Sequence, residues 1–316
     1  VVVKIELSKK KILITGGAGF IGSHLQDALL EKNDVFVIDN FSTGKREYVN
    51  KKAVLIEGNL KDFSFAKKHI RGFDIVFHLA ANADVRLGAT DPDIHFNENL
   101  LVTKNILEAM RLNGVKNIVF TSTSTVYGDA KQMPTKEGYG PMIPISLYGA
   151  SKLGAEALIT AYCHTFGMKC WIYRFGNVIG PRETHGIIVD FIKKLRDNPE
   201  KLEILGNGMQ SKSYVYIADC ISGILSGVEK SDNGTNILNL SSGDTISVIE
   251  IAEELIKTMR LKPKIRYTGG TRGWAGDVPK MHLDISIISK LGWKPKCTSK
   301  KAVQLTIERL LEDAAR

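Results

Sequence analysis

The chain has 316 residues, 43% apolar and 24% charged, with 43 Lys and Arg against 34 Asp and Glu for a formal net charge of +9. This composition excludes a disordered chain and supplies enough length to bury a core in one large or two modest domains. No stretch approaches the roughly 20 continuous apolar residues of a membrane span, and the opening Val1-Val2-Val3-Lys4-Ile5-Glu6 has neither the basic start nor the apolar run of a secretion signal. A cytoplasmic protein without membrane contact is expected.

The basic residues are scattered, with only short clusters such as Lys9-Lys10-Lys11 and Lys51-Lys52. That describes a solvated cationic surface rather than a nucleic-acid stripe, so no nucleic-acid partner is expected. Cys163, Cys170, Cys220 and Cys297 lie far apart without C-x-x-C pairs, and the expectation is reduced thiols. The histidines form no H-x-x-x-H, HExxH or Cys/His cluster, which predicts no metal.

In chain order, short β-rich apolar runs at 12–15, 35–39, 54–57, 75–79 and 118–121 alternate with amphipathic stretches such as 21–32 and 94–112. The alternation predicts βαβ units feeding a doubly wound parallel sheet, with strands buried on both faces. A helix over 146–166 leads into a further strand at 171–175, and the rhythm breaks at Gly180-Pro181-Arg182. The expected fold class is therefore α/β, with a first domain over 1–180 and a smaller α/β domain over 181–316. A segment near 237–241 is expected to return to the first sheet.

Directly after the first strand comes Thr15-Gly16-Gly17-Ala18-Gly19-Phe20-Ile21-Gly22, then helical Ser23-His24-Leu25. Glycines between a strand and a helix let the backbone approach a pyrophosphate, and the helix N-terminus offers unpaired N–H groups. Gly16, Gly19 and Gly22 form the predicted phosphate cradle of a dinucleotide. Asp39 ends the second strand 23 positions after Gly16. Its carboxylate suits the adenosine ribose hydroxyls and would repel a 2′-phosphate, which favours NAD over NADP.

The fifth strand ends in Thr121-Ser122-Thr123-Ser124-Thr125-Val126-Tyr127-Gly128, and Tyr148 and Lys152 follow at a spacing of four. On a helix that spacing puts both side chains on one face, where an ammonium can lower the phenol toward working pH. A hydroxyl from the strand end could then hold a substrate alcohol while the tyrosinate removes its proton.

These stretches, with Asp39-Asn40-Phe41-Ser42-Thr43-Gly44, His78-Leu79-Ala80-Ala81 and the segment from Arg174 to Gly180, resemble the extended short-chain dehydrogenases/reductases of the NAD-dependent epimerase/dehydratase family. Within it the chain is most similar to UDP-glucose (UDP-galactose) 4-epimerases. The resemblance implies a Rossmann domain in which the glycines, Phe20 and Ile21 bind the pyrophosphate. Asp39, Asn40, Ser42, Thr43 and Gly44 would follow the ribose, and Asn59 and Leu60 the adenine. Leu79, Ala80, Ala81, Asn99 and Phe175 would line the rest of the cofactor. Thr123 aligns with the catalytic Ser/Thr, Tyr148 with the base, and Lys152 with the lysine that also holds the nicotinamide ribose.

For the substrate, the resemblance implies Asn177 and Lys212 near the diphosphate, with Arg272 and Asp277 on diphosphate and uridine ribose. Lys212 stands where the family usually has Arg, and Trp274 interrupts the usual late Arg position, shifting that assignment to Arg272. Val85 and Arg86 face the same cleft, where Arg86 meets a phosphate, a uronic carboxylate or a nearby acid. Met281 either gates the group at C2 or is a plain core methionine. His78, inside an apolar strand, is expected to be packed rather than catalytic.

The family's dehydratases typically follow the catalytic Thr with Asp-Glu, whereas this chain has Ser124 and Thr125. Neither hydroxyl suits acid/base work near neutrality, which leaves 4-epimerisation of a UDP-hexose through a transient 4-keto sugar and NADH as the expected reaction. A UDP-N-acetylhexosamine or UDP-uronate epimerase, a reductase, or a noncatalytic NAD- or RNA-binding regulator of the same fold are the alternatives. The helical runs 94–112 and 146–166 resemble a pair that forms a dimer interface in relatives, which implies a homodimer.

Overall fold

The computed structural model describes residues 5–231, 234–274 and 276–313, so Val1-Val2-Val3-Lys4 of the opening and Ala275 of the late Arg-Gly-Asp stretch lie outside the described residues. The alternation of the first half becomes β1 (Lys11–Thr15), α1 (Phe20–Leu29), β2 (Asp34–Asp39), β3 (Val54–Glu57), α2 (Phe63–His69), β4 (Ile75–His78), α3 (Asp93–His95), α4 (Val102–Leu112), β5 (Asn117–Thr123), α5 (Leu147–Phe166) and β6 (Lys169–Phe175). Then come β7 (Asn177–Ile179), α6 (Ile187–Asp197), β8 (Lys201–Ile204), β9 (Ser211–Lys212), β10 (Tyr214–Tyr216), α7 (Ile217–Lys230) and β11 (Thr235–Leu240). The chain continues through β12 (Ile246–Ser247), α8 (Val248–Met259), β13 (Lys264–Tyr267), β14 (Lys280–Met281), α9 (Ser286–Lys290) and α10 (Ser299–Asp313).

Seven strands pair in parallel in the order β11-β6-β5-β4-β1-β2-β3. The order reverses at β1, with β2 and β3 on one side and β4, β5 and β6 on the other. The crevice at the carboxyl ends of β1 and β4 is thus the switch point at which such sheets take ligands. Period-2 alternation divides the sheet between two cores. Ile12, Ile14, Val37, Phe77, Val119 and Trp171 pack on one face with residues of α1 and α7. Leu13, Ile38, Val76, Ile118, Phe120 and Ile172 pack on the other with residues of α2, α4 and α5.

Three features differ from the sequence expectation. β3 is not buried on both faces: Val54 is 50% exposed and Leu55 36%, because this edge strand pairs only with β2. The first helix stops at Leu29, where Asn33 Nδ2 donates to Leu29 O (2.9 Å) and Leu7 O (3.2 Å), turning the chain toward β2. The stretch 94–112 is helical throughout, but Phe96–Leu101 widens into a π-turn between α3 and α4. There the Asn99 amide leaves the helix surface to bond Asn82: Asn82 N–H donates to Oδ1 (2.8 Å), and Nδ2 donates to Asn82 O (3.1 Å).

Helix α5 begins where Ser146 Oγ accepts from Gly149 N–H (3.1 Å) and ends at left-handed Gly167. In the second half, a separate core of Ile188, Phe191, Leu195, Ile204, Leu255 and Ile307 is enclosed by α6, α8 and α10. Small pairings, β10 with β7, β13 with β8, and β9 with β12 and β14, complete the second half. Among the described residues no helix is long and apolar enough to cross a membrane.

Candidate active site

The glycine loop is shaped by close approaches that a side chain would block. A Cβ at Gly16, which sits at φ +71°, would lie 2.6 Å from Ala80 N, and one at Gly22 would lie 2.3 Å from Gly16 O. Gly19 caps α1 without any side-chain hydrogen bond, so the N–H groups of the Phe20-Ile21-Gly22 turn are left for an external acceptor. Asp39 Oδ2 accepts from Ala18 N–H (2.9 Å) and Oδ1 from Phe41 N–H (2.8 Å), which fixes the carboxylate beside the loop with lone pairs to spare. Burial pushes this carboxyl upward against those backbone donors. Asn40, Ser42 and Thr43 are exposed on the following turn, and Gly44 packs on Ala18.

The remaining cofactor candidates divide by what they touch. Ala80 N–H donates to Thr15 Oγ1 (3.3 Å) as Leu79-Ala80-Ala81 leaves β4 along the crevice. Asn59 is exposed just beyond β3 and its side chain accepts from Lys61 N–H (3.0 Å), while Leu60 is buried in the core. The Asn99 side chain is taken up by Asn82 and by Ser151 Oγ (3.1 Å), so it braces the crevice wall from behind. Phe175 is buried and stacks on Tyr173. The glycine cradle, the uncapped helix and the aligned carboxylate at a switch point fit an NAD pyrophosphate and adenosine.

Beside the cradle, Thr123 ends β5 with Oγ1 accepting from Thr125 N–H and Thr125 Oγ1–H, both at 3.2 Å. Tyr148 stands on the first turn of α5. Its ring is partly exposed, yet surrounding atoms desolvate the hydroxyl and push the phenol up to about 12, opposed by a hydrogen bond with Thr123. Lys152, one turn on, is 2% exposed; its ammonium donates to Thr121 O (2.9 Å) and lies 4.6 Å from the Phe120 ring centre. Burial pulls Lys152 down to about 7, with Glu156 opposing. The three residues come together as expected. The ammonium, however, faces the Thr121 carbonyl, and burial rather than Lys152 dominates the phenol.

The sequence reading missed two neighbours. His95 is fully buried with its ring edge-on to Tyr148 at 5.5 Å, a contact set by the π-turn and carrying no local signal. Glu156, four residues past Lys152, was legible by spacing. His78 is packed, as expected, between Thr15 Oγ1 (2.9 Å) and Thr103 Oγ1 (3.0 Å).

On the opposite wall, Lys212 Nζ meets Asp277 Oδ1 at 2.6 Å and lies 5.5 Å from the Trp274 ring centre. Asp277 Oδ2 accepts from Gly273 N–H (2.9 Å). Arg272 forks onto Asp129 (2.6 and 3.2 Å) and also donates to Asp277 O. A Cβ at Gly276 would lie 3.2 Å from Ile145 O, so this stretch abuts the start of α5 and faces Tyr148's helix. Asn177, on β7, stands opposite Tyr214 of β10 in the parallel register. Arg86 pairs with a nearby acid, Asp84 (3.5 Å), on the turn that begins at Val85. Met281 is buried with Val126, Tyr127 and Leu283, the placement of a core methionine.

Residues 12–241 match the model of the NAD dependent epimerase/dehydratase family. The UDP-glucose 4-epimerase of Corynebacterium glutamicum is 35% identical over 77% of this chain and 78% of its own length. A crystal structure of a UDP-galactose 4-epimerase is 45% identical, covers 96% of this chain and 99% of its own, and superposes with a TM-score of 0.89. That of UDP-glucose 4-epimerase with UDP-glucose from Thermotoga maritima is 32% identical with the same coverage and TM-score. The chain belongs to the NAD-dependent epimerase/dehydratase family, and its cofactor is NAD.

Proposed function

We propose that the protein interconverts UDP-hexoses at C4, with UDP-glucose and UDP-galactose as the first pair. The observation that carries this reading is the pair of hydroxyls beside Thr123. Thr125 Oγ1 donates to Thr123 Oγ1, and Ser124 stands between them where a dehydratase would present carboxyl groups. Neither hydroxyl ionises near neutrality, so elimination lacks an acid and a base, whereas epimerisation needs one proton acceptor only.

Gly16, Gly19, Gly22 and Asp39 would hold NAD, which supplies reversible hydride transfer at the sugar carbon. The chain's own residues handle the proton and the pose. Thr123 orients the C4 hydroxyl, and Tyr148 Oη takes its proton in one half-reaction and returns it in the other. Thr123 already acts on the Tyr148 hydroxyl, opposing the burial that raises it. Lys212, Arg272 and Asp277 form a charged wall suited to a nucleoside diphosphate, a substrate class also supported by the UDP-glucose bound in the Thermotoga maritima relative.

Incubating the purified protein with UDP-galactose, UDP-N-acetylgalactosamine and UDP-glucuronate, then resolving C4 epimers, tests the reading. UDP-glucose from UDP-galactose is the expected product. Retained NAD with no epimer from any of the three would overturn it in favour of a noncatalytic regulator.

We also infer a cytoplasmic homodimer. Helix α5 packs against the π-turn and α4, and this region leaves Phe96 (55%), Leu147 (45%) and Leu112 (44%) exposed. Light scattering is expected to return twice the chain mass; monomer alone would remove the inference.

A further inference from the structure

Three successive turns of α5 engage three successive residues of β5. Tyr148 stands beside Thr123, Lys152 Nζ donates to Thr121 O (2.9 Å), and Glu156 Oε1 accepts from Ser122 Oγ at 2.5 Å. The spacing of four at each step keeps all three side chains on one helix face. Glu156 is 3% exposed and carries the other half of a fully buried pair: Arg174 Nε reaches both carboxylate oxygens (3.1 and 3.2 Å), and Nη2 reaches Oε2 at 2.6 Å. The guanidinium is fixed in turn by Tyr127 Oη (3.0 Å) and Glu137 O (2.9 Å).

We propose that Glu156 is a positioning residue of the reaction: paired with Arg174 and bonded by Ser122 one turn beyond Lys152, its carboxylate supports the Lys152 ammonium inside an otherwise apolar wall. The inference rests on reading Tyr148 and Lys152 as the proton-handling pair. Around Lys152, α5 contributes Tyr148 and Glu156, β5 contributes the Thr121 carbonyl and the Phe120 ring, and β4 contributes His78. His78 is held neutral by burial, with a pKa lowered to about 3. Arg174 on β6 and Glu137 lie behind Glu156, and His95 lies against Tyr148. Of these groups Glu156 is the one that raises Lys152, against a burial that lowers it to about 7. A neutral lysine could still bond Thr121 O, but it would bring no positive charge to a phenolate forming one turn away.

The same geometry gives opposite signs for the two partners. Removing Glu156 leaves the Arg174 cation buried and unopposed near Lys152, whereas removing Arg174 leaves Glu156 facing Lys152 alone. The test is a pH titration of the Lys152 ¹³Cε resonance in NAD-saturated protein, assigned by its loss in Lys152→Met. In Glu156→Gln the midpoint is expected to fall by about one pH unit or more, and in Arg174→Met to rise. The double variant Glu156→Gln/Arg174→Met removes the buried pair together; its midpoint should fall by less than in Glu156→Gln, and it decides the matter where a single variant fails to fold. A midpoint unchanged in folded Glu156→Gln, or in the double variant, overturns the proposal. Because the titration needs no substrate, absence of UDP-hexose epimerisation alongside these shifts would count against the proposed function and not against Glu156.

Discussion

Lys212 Nζ lies 2.6 Å from Asp277 Oδ1, so two residues expected on the substrate diphosphate and ribose hold each other across 65 positions of sequence. Asp277 is 3% exposed, and its second oxygen is occupied by Gly273 N–H. The pair therefore holds Gly273 as well as charging the site. Lys212→Met should raise KM for the UDP-hexose roughly 10- to 100-fold with kcat little changed. It should also lower stability by roughly 1–3 kcal/mol by leaving a buried carboxylate unpaired. Steady-state kinetics and urea unfolding check both parts, and a lower kcat at constant KM would remove Lys212 from substrate binding.

Asp39 has two tasks that a substitution can separate. Its oxygens anchor Ala18 and Phe41 N–H groups, and its charge faces the position expected for the ribose 2′-substituent. Asp39→Asn keeps an acceptor for one of those N–H groups and removes the charge. NAD affinity should fall roughly tenfold, with the preference over NADP largely lost. Calorimetric titration with both nucleotides measures this, and an unchanged preference would assign Asp39 to loop anchoring alone.

What was legible in the sequence was local. The glycines, Asp39, and the Tyr148 and Lys152 spacing each take their meaning from a strand end or a helix period, and the structure places them together. What was not legible depends on contacts between distant segments. Arg272 meets Asp129 across 143 positions, and no pattern near either residue announces the other. His95 reaches Tyr148 because one helical turn opens into π geometry around Asn99, a distortion that apolar periodicity cannot encode. β3 reads as a buried strand because its residues are Val, Leu and Ile, yet its place at the sheet edge follows from topology.

Two glycines give a contrast in one experiment. A Cβ at Gly22 would lie 2.3 Å from Gly16 O and 2.8 Å from Gly17 Cα, both backbone atoms of the cradle, whereas one at Gly138 meets nothing within 4 Å. Gly22→Ala should displace the loop, lowering stability by roughly 1–3 kcal/mol and abolishing NAD retention. Gly138→Ala should leave both unchanged. Thermal unfolding with and without NAD reads the difference, and equal behaviour of the two variants would deny Gly22 its part in the cradle.

Glu183 follows Gly180-Pro181-Arg182, and its Oε2 is buried without a hydrogen-bond partner among the described residues. Burial raises its carboxyl from 4.5 to about 8, with only a Gly180 backbone hydrogen bond opposing. The folded state thus binds more protons than the unfolded state between these values. Stability linked to this group is fully present below pH 4.5 and is lost as pH rises through about 8. Glu183→Gln, neutral at every pH, should stabilise the protein by roughly 2–4 kcal/mol at pH 8.5 and hardly at all at pH 5. Urea unfolding at the two pH values is the measurement, and an equal effect at both would show that Glu183 ionises freely in the fold.

Tyr148 presents the sharpest demand on the site. Burial holds its phenol near 12, and Thr123 is the group that opposes this, so the surrounding protein atoms disfavour the phenolate the reaction needs. Two positive charges can reverse that balance: the Lys152 ammonium one turn away and the cationic nicotinamide of bound NAD. Tyr148→Phe removes the acceptor while leaving the cradle and Lys152 in place, and should lower kcat by roughly 100- to 10,000-fold with NAD affinity within a few fold of the parent. Thr123→Val should cost less, because it loses orientation of the C4 hydroxyl but keeps the base. Single-turnover epimerisation alongside NAD titration separates the two, and substantial residual turnover in Tyr148→Phe would move the base to another residue.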